Sequence, residues 1–163
     1  MRYIMQQKLF GLGGDSMVKN DRGEDCFFVD GAALSIGRRL VIKDLKSRRK
    51  AVIQQKIVSF TPTFNLSFDD GLKVTVKKTV NPLVNNFKID LPGRKNDLEA
   101  RGDLLHHEYS IYSGREEVAR ISKRWFSLVD SYGIEIDDDQ DDLLIIACAV
   151  VIDEVLDMRE QDD

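Results

Sequence analysis

The sequence is poor in the residues that chemistry usually needs: two cysteines, two histidines and one tryptophan in 163 residues. Both cysteines, Cys26 and Cys148, fall in apolar runs and read as reduced core residues of a cytoplasmic protein. The histidines are adjacent, His106-His107. Neighbours on a strand point to opposite faces, which predicts one inward and one outward ring, and no cysteine or carboxylate cluster lies around them at zinc-like spacing. Catalysis finds no foothold either. Gly11-Leu-Gly-Gly14 lacks the helix pattern and the Lys-Ser/Thr pair of a phosphate loop, and no serine sits in a nucleophile elbow. The expectation is a protein with no catalytic residues, no metal and no cofactor.

A long apolar segment is also missing. The opening Met1-Arg-Tyr-Ile-Met-Gln-Gln-Lys8 breaks too early for a signal peptide, and the longest apolar run is Leu143–Ile152. Ten helical residues rise about 15 Å, roughly half of a bilayer's hydrocarbon core, so no transmembrane segment is expected. A net negative charge is absent from most of the chain and concentrated at its end. Residues 1–136 carry 23 Lys and Arg against 17 Asp and Glu, whereas residues 137–163 carry 1 against 11.

That apolar run organises the chain. Five aspartates between Asp137 and Asp142 precede it, and carboxylates favour the positive end of a helix dipole, so a helix is predicted over about 139–157. A helix apolar on every side must be surrounded by apolar material. Upstream, short β-branched and aromatic runs are punctuated by Asp-Gly, Pro-Gly and Ser-Gly turns. They predict strands near 5–11, 15–20, 25–30, 39–44, 50–58, 63–68, 72–79, 85–91, 97–102, 107–113, 117–125 and 131–136. Residues 51–66 and 119–134 align at a shift of 68, with Ala, Ile and Ser identical, and flanking stretches align at 69 and 70. Two six-stranded halves follow, about 5–68 and 72–136, within a single domain 1–163. Twelve antiparallel strands avoid exposed edges by closing into a barrel. About eight strands are already filled by their own side chains, so twelve leave room for the helix. The expected fold is mainly β: a closed twelve-stranded antiparallel barrel around the C-terminal helix.

Gln6-Gln-Lys-Leu-Phe10, Gly102-Asp-Leu-Leu-His-His-Glu-Tyr-Ser-Ile111, Ala119-Arg-Ile-Ser-Lys-Arg-Trp-Phe-Ser127 and the Asp-rich helix entry give the whole chain a further meaning. It resembles the LURP-one-related family of the Tubby C-terminal-like superfamily, with phospholipid scramblases as distant relatives. The resemblance implies the same barrel around a buried helix and no established catalytic activity. Tubby domains bind phosphoinositides and some scramblase relatives act at membranes, which makes phospholipid a candidate ligand here.

The densest basic stretch runs from Arg38 to Lys50, with Arg38, Arg39, Lys46, Arg48, Arg49 and Lys50 as candidate anion-binding residues and Lys46–Lys50 as a hairpin tip. Such a tip could dock on acidic lipid or phosphoinositide headgroups at about 1 kcal/mol per basic residue. The competing reading is a solvated hairpin whose charges protect strand ends. No aromatic residues are interleaved for base stacking, which disfavours nucleic acid. Lys8, Lys56, Lys77, Lys78, Lys123 and Arg124 recur at equivalent repeat positions, where outward pairing with neighbouring acids is expected. In the acidic run, Asp142 replaces the glycine and Cys148 the glutamate of a calcium loop, so capping is its expected role. Asp153, Glu154 and Asp157 oppose the helix dipole and are expected where the helix meets water. Trp125 and Phe126 are expected to pack on the helix or the wall. Together these features describe a non-enzymatic binding or scaffold protein, cytoplasmic and peripheral at membranes, of no identified protein partner. A small-molecule enzyme or carrier with a site at a barrel mouth is the alternative.

Overall fold

A computed structural model describes residues 1–6, 15–31, 36–81, 83, 85–125 and 130–162, the side chains of 160–162 excepted. Twelve strands follow in order: β1 Arg2–Gln6, β2 Ser16–Asn20, β3 Asp25–Asp30, β4 Arg39–Asp44, β5 Lys50–Gln55, β6 Thr63–Phe68, β7 Lys73–Lys78, β8 Phe87–Asp90, β9 Leu98–Asp103, β10 Glu108–Ser113, β11 Glu116–Ser122 and β12 Ser131–Ile136. A single α-helix, α1, spans Asp142–Asp162. Each strand pairs antiparallel with its neighbours in sequence, and β1 closes on β12 from Arg2↔Glu135 to Gln6↔Ser131.

The period of two seen in the sequence decides what faces inward. β7 buries Val74 and Val76 and exposes Lys73 and Lys77, while β4 and β5 bury Leu40, Ile42, Ala51 and Ile53. These side chains meet α1, on which every residue from Leu143 to Ile152 is at most 2% exposed. The closed twelve-stranded barrel around an apolar helix is therefore the observed architecture.

Several boundaries move. β1 begins earlier than expected, at Arg2, and residues 7–11 of that assignment lie outside the described residues. β5 stops at Gln55 and β11 at Ser122, because the chain leaves the ladder into turns there. The helix starts at Asp142, since Asp137–Asp141 form a turn in which the Gln140 amide donates to the Asp137 carbonyl at 3.0 Å. Asp141 caps it: its Oδ1 accepts from the Leu144 amide at 3.4 Å.

An up-and-down barrel sends alternate connections to opposite ends. Turns 21–24, 45–49, 69–72, 91–97, 114–115 and 137–141 surround the start of the helix, at what is here called the entry mouth. Connections 31–38, 56–62, 79–86 and 104–107 lie at the exit mouth, where the helix ends; Arg159 there donates to Asn85 Oδ1 at 3.4 Å.

Candidate functional site

The two mouths differ in chemistry. At the entry mouth, Asp44 Oδ1 accepts from the amides of Lys46 and Ser47, and Arg48 takes a left-handed φ of 64°. This tight turn aims Arg49 inward, towards the helix start. Its guanidinium grips Asp141 with two bonds of 3.0 and 2.9 Å and reaches Asp70 at 2.8 Å. The bond to Asp141 raises the Arg49 pKa further, and the Leu72 amide together with Arg49 holds the Asp70 carboxyl below its usual range. Lys46, Arg48 and Lys50 are exposed, but they share this end with Asp69, Asp70 and Asp137–Asp139.

The six basic residues singled out in the sequence therefore do not form one patch. β4 carries them apart: Arg38 and Arg39 start at the exit mouth and the other four sit at the entry mouth. Arg38 is an ion-pair partner of Glu154, 3.1 Å away. Only 1% of Glu154 is exposed, and burial pushes its carboxyl pKa up against the opposing pull of Arg38.

Asp153 and Glu154 do not meet water, contrary to expectation. The wall extends past them and supplies a partner to each. His107 Nε2 lies 2.8 Å from Asp153 Oδ1, and the His107 ring stacks on Tyr132 at 4.5 Å. Burial first and Asp153 second push the phenols of Tyr109 and Tyr132 well above their ordinary value. Asp157 is half-buried, so the helix emerges only beyond Leu156. One histidine does face in and the other out, but strand alternation is not the cause. A 3-10 turn, Leu104–His106, separates them; His106 binds Asp103 in solvent, while His107 adopts a φ of 52° and turns inward.

The exit mouth also holds what the sequence reading missed. Ile36, Ile57, Val58, Phe60, Val80 and Leu83 are exposed by 60% or more, and all six lie on the connections β3–β4, β5–β6 and β7–β8. Segments 31–38, 56–62 and 77–88 contain no Asp or Glu at all. Lys56, Lys77, Lys78 and Lys88 ring these tips, and none has an ion-pair partner among the described residues. Among the described residues, Arg124 alone of the recurrent basic positions has a carboxylate within 4 Å, Glu108 at 3.9 Å, and Lys8 lies outside the described residues. Among the described residues, the expected outward pairing is thus absent for Lys56, Lys77, Lys78 and Lys123. Trp125 is on the outer surface, with the Arg2 guanidinium 5.3 Å above its ring, and Phe126 lies outside the described residues.

Among the described residues no group of His, Cys, Asp and Glu is placed to hold a metal ion, and no helix is long and apolar enough to cross a membrane. Comparisons with known proteins agree with the architecture. An uncharacterised protein of Bacillus subtilis, YxjI, is 28% identical over 153 residues, covering 94% of this chain and 92% of that one. The X-ray structure of an Arabidopsis thaliana protein superposes with a TM-score of 0.63 at 17% identity, over 94% of this chain and 90% of the other. At that identity the likeness concerns the fold. The family model described as LURP-one-related matches residues 1–153, and the chain belongs to that family.

Proposed function

We propose that this protein is a non-enzymatic binding module that docks on anionic lipid surfaces with its exit mouth facing the bilayer. The observation that carries the reading is the one-sided placement of six exposed apolar side chains on three acid-free connections edged by unpaired lysines. Exposed apolar groups gathered at one place mark an interaction surface. Apolar tips gain about 25 cal/mol for each Å² taken from water, and each lysine near an anionic leaflet adds about 1 kcal/mol. Neither contribution alone gives stable attachment; the two together do, as with lipid anchors that need a basic patch. At the entry mouth, by contrast, Lys46, Arg48 and Lys50 are interspersed with Asp69, Asp70 and Asp137–Asp139, so that end offers no basic surface free of acids.

Co-sedimentation with phosphatidylcholine vesicles, with and without phosphatidylserine, at two salt concentrations tests this. Binding should require the anionic lipid and weaken with salt. Phe60→Ser with Leu83→Ser should abolish it, whereas Lys46→Glu with Arg48→Glu at the entry mouth should leave it near wild type. Absence of binding to phosphatidylserine vesicles at low salt removes the proposal. Loss of binding only in the Lys46 and Arg48 variant would move the docking face to the hairpin.

A further inference from the structure

Lys77 on β7 and Lys88 on β8 are direct cross-strand partners, and both side chains are exposed. Like charges placed opposite one another weaken a ladder, and neither lysine forms an ion pair with a described residue, although Lys88 faces Glu99 of β9 on its other side. Lys78, the next residue, is half-buried, and burial followed by the nearby Arg159 charge lowers its pKa. These three lysines line a surface cleft of about 490 Å³, together with Thr79, Asn81 and Asp90. Asn81 Oδ1 accepts from the Leu83 amide at 3.0 Å, which leaves the Nδ2 end of the same side chain to donate. The cleft therefore concentrates donors and positive charge next to Val80 and Leu83, with one carboxylate at its far end.

We infer that this cleft is a site for the phosphomonoester group of a lipid headgroup, a deepening that rests on the docking reading above. A terminal phosphate carries about −1.5 to −2 charges at neutral pH and three acceptor oxygens, enough to answer Lys77 and Lys88 together. Lysine serves here as a point-charge phosphate binder, needing no planar fork. A phosphodiester brings one charge and two free oxygens, so it satisfies the group less well. Asp90 adds discrimination, since a headgroup that bears its own carboxylate, as phosphatidylserine does, would set it against that side chain.

The experiment compares full-length protein on vesicles containing phosphatidic acid with vesicles containing phosphatidylserine, matched for total surface charge. Wild type should prefer phosphatidic acid roughly tenfold, the size expected from one or two additional lysine contacts. Lys77→Ala with Lys88→Ala should erase the preference while retaining weaker binding through the apolar tips together with Lys56 and Lys78. Asp90→Asn should raise phosphatidylserine binding towards the phosphatidic acid level. All three changes are exposed, and an unchanged thermal melt shows that the fold is intact. Equal binding of both vesicle types by wild type, or a preference that survives the double alanine change, overturns the cleft and leaves docking standing. No binding to either vesicle overturns docking. In that event, amide shifts on adding inorganic phosphate, lost in the double variant, would reassign the cleft to a soluble phosphomonoester, and no shifts would refute it.

Discussion

His107 and Asp153, 46 residues apart in the chain, meet inside the barrel with Nε2 2.8 Å from Oδ1 and both side chains only 4% exposed. The contact ties the turn between β9 and β10 to the last buried stretch of the helix. Removing one member of a buried polar pair leaves the other desolvated and costs several kcal/mol. His107→Ala should therefore destabilise by about 3 kcal/mol. Asp153→Asn, which keeps an oxygen acceptor in place, should cost less than Asp153→Ala. Urea denaturation of the three variants measures the ranking; equal losses for Asn and Ala at position 153 would deny the hydrogen bond its role.

Glu154 makes stability depend on pH with a definite sign. Burial raises its folded pKa above the ordinary carboxylate value of about 4.3, with Arg38 only partly offsetting this. A raised folded pKa means the folded state holds the proton more tightly than the unfolded chain. The associated stability is complete below the unfolded pKa and is lost as pH rises through the folded one. Glu154→Gln has no such proton to lose. Its stability relative to wild type should increase from pH 4 to pH 7, read as a growing difference in urea midpoints. Parallel pH profiles would contradict the assignment.

Arg49 joins three elements that are far apart in sequence: its own hairpin, Asp70 in the β6–β7 turn and Asp141 at the helix cap. Lysine cannot supply the two-pronged contact with Asp141 and the bond to Asp70 together. Arg49→Lys should lower stability by about 1 kcal/mol, the range of a partly exposed ion pair of good geometry. The deficit should shrink in 0.5 M NaCl, since wild type loses more than the variant to screening. A salt-independent deficit would point to packing of the side-chain stem instead.

The barrel was legible because its evidence is periodic. Val74 and Val76 alternate with lysines, and Leu143–Ile152 has no polar face, so each element announced what it must be packed against. Ends of elements were less legible. Ile57 and Val58 look like the continuation of β5, yet the ladder stops at Gln55 and both side chains go to solvent, so an exposed connection looks like strand in the sequence. Pro62, seven residues beyond Gln55, was the available sign of a connection there. The basic stretch 38–50 failed as a single patch because charge density along a chain says nothing about a strand that carries its two ends to opposite mouths. Asp153 and Glu154 were placed in water because an acidic residue at a helix C-terminal end lacks a visible partner in sequence. Arg38 and His107 are 116 and 46 residues away, and only the closed barrel brings them there.

The two thiols should differ in reactivity. Cys148 is fully buried and its pKa is pushed up to about 12 by burial, so it carries almost no thiolate at neutral pH. Cys26 is half-buried with a more modestly raised pKa, mainly from burial. Native protein at pH 8 should release one equivalent of chromophore slowly from a disulfide reagent, and a second only in denaturant. Two equivalents at a common rate under native conditions would show that the helix is not enclosed as described.

Gly102 marks the tightest backbone approach in the barrel wall. It has a φ of 132°, and an added Cβ would lie 2.9 Å from both the Glu108 carbonyl oxygen and the Tyr109 Cα, on the strand that pairs with it. Neither of those atoms can swing aside as a side-chain tip could. Gly102→Ala thus combines backbone strain with a collision in the β9–β10 ladder and should cost about 3 kcal/mol. Gly93 separates the two effects: its φ is 83°, but nothing lies within 4 Å of an added Cβ. Gly93→Ala should cost about 1 kcal/mol from strain alone. At roughly 2–4 °C per kcal/mol for a chain of this size, the two melting temperatures should differ by several degrees. Equal losses would mean that β9 can move away from β10 at that point, and that the wall is more compliant there than a continuous ladder allows.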